Sequence, residues 1–267
     1  MIEFFSRIDL MNHVMLAPKL WSVTSGEEPF AYHIIDNFLE PDFAQLLSDE
    51  FPSYGDHKLR PYNNPLETKK LQNYWDHFQQ NTYRFIQFIN SSSFIDQYVS
   101  PLVGVSSLVP DYGLNGAGQF LHERCGKLNP HLDYRIHPKL GLERRFSFLL
   151  YLTPGWDEAW GGDLVLYSGT AENLVEHTRI SCNYNRAVIF DTTSNSWHGV
   201  PDPLDCPIGI LRKTIGVFYL SERRKDVPDL FKAQYALLGD DNYNSELVNL
   251  VKRRSDPAKC RSTYEAD

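Results

Sequence analysis

From residue 117 to residue 220 the chain is a succession of short apolar segments separated by Gly, Pro and Asn, and this pattern narrows the choice of fold more than any other. The segments expected to be strands are 117–122, 131–136, 145–152, 163–167, 187–191, 197–200 and 212–220. In RFSFLLYL, Phe146, Phe148, Leu150 and Leu152 fall on one face and Arg145, Ser147, Leu149 and Tyr151 on the other, because successive strand side chains alternate. Many short strands joined by turn residues predict a sandwich or a barrel.

Helical patterns flank this middle. FAYHIIDNFLE over 30–40 reads as a strand entering a turn, and Pro41 suits a first helical turn. Phe43, Leu46 and Leu47 then recur at helical spacing. Over 67–90, Leu71, Trp75, Phe78, Phe85 and Ile89 form a stripe that predicts one longer helix packed on the core. A short helix is expected over 93–100, and DLFKAQYALL after Pro228 reads as a closing helix. The charged tail from 252 reads as frayed. HKLRPYNNPLETKK is polar and turn-rich, as a mobile substrate-covering loop is. Helices, then strands, then a helix make one α+β unit with helices buttressing a β core. With no linker in sight, 1–267 is read as a single domain, its barrel over about 115–221 and a helical N-terminal support over about 30–114.

Composition removes several classes of function. Lys and Arg total 26 against 34 Asp and Glu, and the net charge of -8 argues against a nucleic acid held through its phosphates. No apolar run reaches the roughly 18 residues of a membrane span, so no membrane partner is expected. MIEFFSRIDLMNHVML carries Glu3 and Asp9 within its apolar stretch and lacks a basic start, which makes it a poor secretory signal. Cys125, Cys182, Cys206 and Cys260 form no CxxC pair, so reduced thiols in a cytoplasmic protein are expected. Nothing in the sequence specifies an oligomeric state.

The residues that carry chemistry are few. His131 and Asp133 in NPHLDYRIHP stand two apart, and on a strand both side chains reach one metal ion. A His-x-Asp triplet alone arises often by chance, so a third ligand is needed. His198, in AVIFDTTSNSWHGV, is the best candidate. Two histidines and one carboxylate on adjacent strands form a facial triad with open positions, which suits non-haem Fe(II) that activates oxygen. Arg212 opens the strand RKTIGVFYL, 14 residues beyond His198. Its guanidinium can grip a carboxylate in a bidentate fork, as Lys213 cannot, and Thr214 on the same strand face adds a hydroxyl. His13, His33, His57, His77 and His177 are isolated from other ligand-type residues.

The segments HLDY, RRFSFLLYLTPGWDEAWGGDLVLYS, NRAVIFDTTSNSWHGV and RKTIGVFYL occur in this order. With FAYHIIDNFLEPDFAQLL before them, they resemble the Fe(II)- and 2-oxoglutarate-dependent dioxygenases of the prolyl-4-hydroxylase-like group. The likeness covers roughly 30–50 and 115–221. It implies a double-stranded β-helix (jelly-roll) barrel with N-terminal and C-terminal helices packed outside. It implies Fe(II) held by His131, Asp133 and His198 as the catalytic centre. Arg212 would bind the distal carboxylate of 2-oxoglutarate, with Thr214 beside it. Tyr151 matches a tyrosine that helps to hold the same carboxylate. The reaction implied consumes O2, with ascorbate as a supporting reductant. It converts 2-oxoglutarate to succinate and CO2 while hydroxylating an unactivated C–H bond. The substrate implied is a prolyl or other amino-acid residue in a peptide or protein, or alternatively a free amino acid or small metabolite.

One departure concerns a tyrosine that some relatives place about ten residues before the first ligand. FLHERCG stands there instead, with Leu121 or His122 at the position. Chemistry of this kind needs water excluded, and Phe148, Leu150, Val188, Phe190, Val217 and Tyr219 are the candidates for an apolar barrel interior. Arg144, Arg145 and Trp160 lie near the expected mouth and are assigned to solvation and packing. A non-catalytic barrel acting as a binding module is the contrasting class, and a cupin-type barrel with another metal is a third. The intact ligand set speaks for the enzyme, and Arg212 for 2-oxoglutarate.

Overall fold

The structure, a computed structural model, describes residues 15–192, 195–225, 227, 229–256 and 258. The leader reading over residues 1–14, with His13, lies outside the described residues, as does Cys260.

The barrel strands arise where the alternation predicts them. They are β6 (Gly118–His122), β7 (Lys127–Leu132), β8 (Glu143–Tyr151), β9 (Leu164–Thr170), β10 (Asn173–Ile180), β11 (Arg186–Asp191), β12 (Trp197–Val200) and β13 (Arg212–Ser221). β10 was not anticipated, because its exposed residues carry no apolar alternation. Before them come β1 (Ser22–Gly26), β2 (Tyr32–Asp36), helix α1 (Pro41–Asp49), β3 (Arg60–Asn64), β4 (Glu67–Gln72), helix α2 (Gln80–Ile89) and β5 (Val109–Pro110). After them come β14 (Gln234–Tyr235) and helix α3 (Ser245–Ser255).

The strands run in the order β1-β2-β11-β8-β13-β6-β4-β7-β12-β9-β10, and every pairing is antiparallel. The larger sheet, β2-β11-β8-β13-β6, faces the smaller one, β7-β12-β9-β10. β4 joins them, since Lys70–Gln72 pair with β6 while Glu67 and Thr68 pair with β7. This is the curled double-stranded β-helix that the resemblance implies.

The two faces of the larger sheet bury different residues. Phe148, Leu150, Ile189, Ile215 and Val217 share one apolar cluster with Phe38, Phe85 and Phe94. The Phe38 and Phe148 rings lie 5.5 Å apart, so this face carries the helices. Tyr151, Val188 and Phe190 cluster instead with Leu164 and Leu166 of β9, inside the barrel. Of the six candidates for the apolar interior, then, Val188 and Phe190 point inward. Phe148, Leu150, Val217 and Tyr219 support the helical side.

Three segments depart from the sequence expectation. The single helix over 67–90 is a strand, a short turn at Trp75–His77 and a ten-residue helix. Only the last part keeps the stripe, burying Phe85 and Ile89, and Glu50 receives the amides of Asn81 and Thr82 at its N-terminus. Leu71 belongs to β4 opposite Phe120, so cross-strand pairing overrides a helical spacing in this segment. HKLRPYNNPLETKK is the β3–β4 hairpin, not a loop. DLFKAQYALL is extended, because Gln234 and Tyr235 pair with Leu132 and His131 on the free edge of β7. The closing helix is α3, which takes up residues 252–255 of the tail expected to fray. A helical stretch over 92–103 matches the one expected. Among the described residues no helix is long and apolar enough to cross a membrane, and Cys125, Cys182 and Cys206 are free thiols.

Candidate active site

His131 and His198 sit directly opposite each other on β7 and β12. Asp133 follows one residue past the end of β7. One ligand atom from each of the three lies within 4.8 Å of the others. The ring orientations are set by the backbone. His131 Nδ1 is 3.1 Å from the Asn129 carbonyl and His198 Nδ1 is 2.8 Å from that of Ser196. A carbonyl only accepts, so each Nδ1 carries the proton and each Nε2 offers a lone pair. The two Nε2 atoms stand 3.7 and 3.8 Å from Oδ1 and Oδ2 of Asp133. These distances are too long for hydrogen bonds and leave room for an ion among the three groups.

Electrostatics prepare the same arrangement. Burial lowers the His131 imidazole to about 3, with His198 adding to the effect and Asp133 opposing it. Burial likewise lowers His198. Both rings are therefore neutral at pH 7, the form a metal needs. Burial alone would raise the Asp133 carboxyl, but Arg144, His198 and His131 outweigh it and hold it below the usual carboxylate range. Two neutral nitrogens and one anionic oxygen on a shared point fit Fe(II).

Arg144 was assigned to solvation, and the structure corrects this. It is 1 % exposed. Its guanidinium lies between the Tyr134 and Phe218 rings, 3.7 and 3.4 Å from their centres. From there Nη1 reaches Asp133 Oδ1 at 2.9 Å, and Nη2 donates to the Asn115 carbonyl at 3.1 Å. Ser147 donates to the other oxygen, Oδ2, at 3.3 Å. Asp133 is thus oriented from both sides. Strict alternation places Arg145, not Arg144, on the face of Ser147, but a register shift in the β8–β13 pairing, with Tyr219 opposite Phe146 and Leu220 opposite Arg144, skips Arg145 and exchanges the two. Arg145 turns outward to Asp191, and Trp160 packs on Trp156 at 5.3 Å.

The residues expected to hold 2-oxoglutarate lie together in the barrel. Arg212 is 4 % exposed, and among the described residues no carboxylate pairs with it. Its Nε donates to the Gly162 carbonyl at 2.8 Å and its Nη1 to Thr214 Oγ1 at 3.1 Å. Gly162 has φ +88°, and a β-carbon there would stand 3.0 Å from Arg212 Cδ, so the second glycine of WGGD is required. Arg212 also lies 4.9 Å from the centre of the Tyr151 ring. Burial pushes the Tyr151 hydroxyl up to about 12 against the pull of Arg212, and that hydroxyl has no hydrogen-bond partner. Ser147, Leu149 and Tyr151 share the inward face of β8, as expected.

The triad and the anchor open on one cavity of about 110 Å³, whose lining includes Lys69, His122, Phe190 and Phe218. Lys69 was not anticipated, because it arrives on a hairpin read as a loop. The tertiary structure also brings Tyr235 against His131, the rings stacked at 5.5 Å and 22°. Arg254 of α3 caps Tyr235 at 4.3 Å.

A double-stranded β-helix with two histidines, a carboxylate and a buried arginine facing its interior defines a non-haem oxygenase type of centre. Comparison with known proteins takes this further. Residues 118–220 match the 2OG-Fe(II) oxygenase superfamily, and with the fold and the triad this match supports a 2-oxoglutarate-dependent oxygenase. That family works with Fe(II), 2-oxoglutarate and O2. A prolyl-4-hydroxylase from Pseudomonas putida shares the fold at a TM-score of 0.51 and 19% identity, over 72% of this chain and 93% of that one. A prolyl hydroxylase from Trichoplax adhaerens, solved with a peptide fragment of the hypoxia-inducible factor oxygen degradation domain, aligns with a TM-score of 0.45 and 17% identity. That alignment covers 71% of this chain and 83% of the other. HygX from Streptomyces hygroscopicus, solved with nickel, 2-oxoglutarate and hygromycin B, aligns at 0.44 and 12% identity over 77% and 91% of the two chains. No curated protein matches the sequence.

Proposed function

We propose that the whole chain is one oxygenase unit that hydroxylates an unactivated C–H bond, with a prolyl or other amino-acid residue of a peptide or protein as substrate. His131, Asp133 and His198 are read as the Fe(II) ligands. The observation that carries this is the convergence of two Nε2 lone pairs and the Asp133 carboxylate, each oriented by a hydrogen bond or ion pair of its own. The fold shared with a prolyl-4-hydroxylase supports the substrate class.

When bound, the iron supplies the oxygen chemistry that no side chain can provide. The protein's own residues do the rest. Asn129 and Ser196 fix the tautomers of the two histidines. Arg144 and Ser147 fix Asp133. Arg212 presents a guanidinium to the distal carboxylate of 2-oxoglutarate, with Thr214 steadying it and the Tyr151 hydroxyl as a further donor. Val188, Phe190, Leu164 and Leu166 keep water from the interior.

The test is Fe(II)-dependent release of succinate from 2-oxoglutarate without added substrate, followed by a peptide screen. Wild-type turnover, lost in His131→Ala and His198→Ala, is expected. A folded wild type that neither binds Fe(II) nor releases succinate would overturn the assignment. Turnover coupled only to free amino acids would move the substrate class to small molecules.

A further inference from the structure

The two candidate ligand rings are the inner members of a longer row. Phe190 of β11 lies 4.7 Å from the His198 ring at 60°, His198 lies 4.4 Å from His131 at 48°, and Tyr235 of β14 lies 5.5 Å from His131 at 22°. The row crosses the barrel from the larger sheet to the smaller one and ends on the C-terminal flank. Phe190 belongs to the segment that matches the superfamily, whereas Tyr235 lies beyond its end at residue 220.

The plane of a histidine ring is weakly specified by its own chain, because the χ2 torsion is broad. The Asn129 carbonyl, 3.1 Å from Nδ1, fixes which nitrogen of His131 carries the proton, but a single bond of this kind accepts a range of angles. His198 meets one side of His131 at a tilt and is itself a candidate ligand. Tyr235 is the neighbour that lies nearly parallel to the imidazole.

Tyr235 is also firmly held. It is 7 % exposed, packs with Leu66 and Leu237, and accepts a hydrogen bond from Arg254 Nη2 at 3.2 Å. Strand pairing sets it directly opposite His131. The next residue ties down the backbone. Ala236 N–H donates to the Pro130 carbonyl at 2.8 Å, and the Ala236 carbonyl accepts from the Asn129 side-chain amide at 3.3 Å. β14 therefore holds both the face of the His131 ring and the residue that fixes its tautomer.

We infer that Tyr235 is a positioning residue for the metal centre, its ring setting the plane of the His131 imidazole so that Nε2 is aimed at the point shared with Asp133 and His198. This rests on reading His131 as a metal ligand. An imidazole that donates to a cation gains positive character, which the face of a tyrosine favours. Metal retention then depends on the C-terminal flank as well as on the barrel. The plain alternative is that Tyr235 only fills space beside Leu66 and Leu237.

The test uses the full-length protein. Zn(II) affinity, by competition with a chelator, and the ligand-field spectrum of Co(II)-loaded protein are measured for wild type, Tyr235→Phe and Tyr235→Leu. Zn(II) affinity about tenfold weaker and an altered Co(II) spectrum in Tyr235→Leu, with both near wild type in Tyr235→Phe, support the proposal. Space filling alone predicts a lower unfolding midpoint in Tyr235→Leu with affinity and spectrum unchanged, and that result overturns it. Equal weakening in Tyr235→Phe and Tyr235→Leu also overturns it, since the hydroxyl and not the ring plane would then matter. Tyr235→Met repeats the comparison with a flexible side chain, and it serves alone if Tyr235→Leu does not fold. A wild type that binds neither ion removes the ligand reading of His131, and the proposal falls with it. Wild-type binding with unchanged variants removes the proposal alone.

Discussion

The segment that matches the superfamily and the segments that flank it build the cavity by different means. Within 118–220 the important side chains are held by strand alternation and by backbone carbonyls, as at His131, His198 and Arg212. The flanks contribute a relay of buried charges and rings that begins far from the cavity. Arg254 on α3 pairs with Glu67 and caps Tyr235, Glu67 holds Lys69, and Tyr235 stacks on His131. The barrel supplies the geometry of the site, and the flanks close its edge and brace one of the candidate ligands. A strand ladder is local and repeated, so it tolerates change beyond it. A buried ion relay depends on every member, since removing one leaves another unpaired.

Substitutions separate these two contributions. The largest effect is expected for His131→Ala, Asp133→Ala and His198→Ala, which should abolish Fe(II)-dependent succinate release. The circular dichroism spectrum should stay native, because open-site ligands serve chemistry more than packing. Phe148→Ala, on the helix-bearing face, should do the reverse. Chemical denaturation should show a loss of about 3–5 kcal/mol, with Zn(II) affinity of the folded protein retained.

Smaller effects sharpen the contrast. Arg144→Met removes the ion pair that orients Asp133 and should weaken Zn(II) or Co(II) binding by about 10–100-fold in a competition titration. Arg254→Met leaves Glu67 with Lys69 alone and should cost about 1–3 kcal/mol in denaturation. It should also loosen Tyr235, which metal affinity reads independently. The smallest effect is a pH dependence. The Glu67 carboxyl is lowered from 4.5 to about 2 in the folded protein. Its contribution to stability is therefore complete above pH 4.5 and lost as the pH falls toward 2. Glu67→Gln should flatten that part of the stability curve, and an unchanged acid slope would count against the relay.

Much of this was legible in the residues. The inward face of β8 follows from alternation in RFSFLLYL, and the convergence of His131, Asp133 and His198 follows from spacing and ligand type. Their setting was less legible. Leu71 and Trp75 kept helical spacing with Phe85, yet Leu71 lies in β4 because β6 offers a strand partner. DLFKAQYALL has good helix formers, yet it extends along β7, where it covers an open edge and seats Tyr235 on His131. Arg144 resembled a surface arginine until Tyr134, Phe218 and Asp133 enclosed it.

By itself the sequence determined the strand-rich middle, the candidate metal triad and the candidate arginine anchor. Each depends on period and residue type within a few positions of the chain. Only the tertiary structure decided that β4 bridges the two sheets, that Phe148 and Phe190 lie on opposite sides of one sheet, and that Glu67 pairs with Arg254 across 187 positions. Those outcomes turn on which strand edge or buried charge is left without a partner. That is settled by the whole fold, because an unpaired edge or charge is costly wherever its partner lies in the chain.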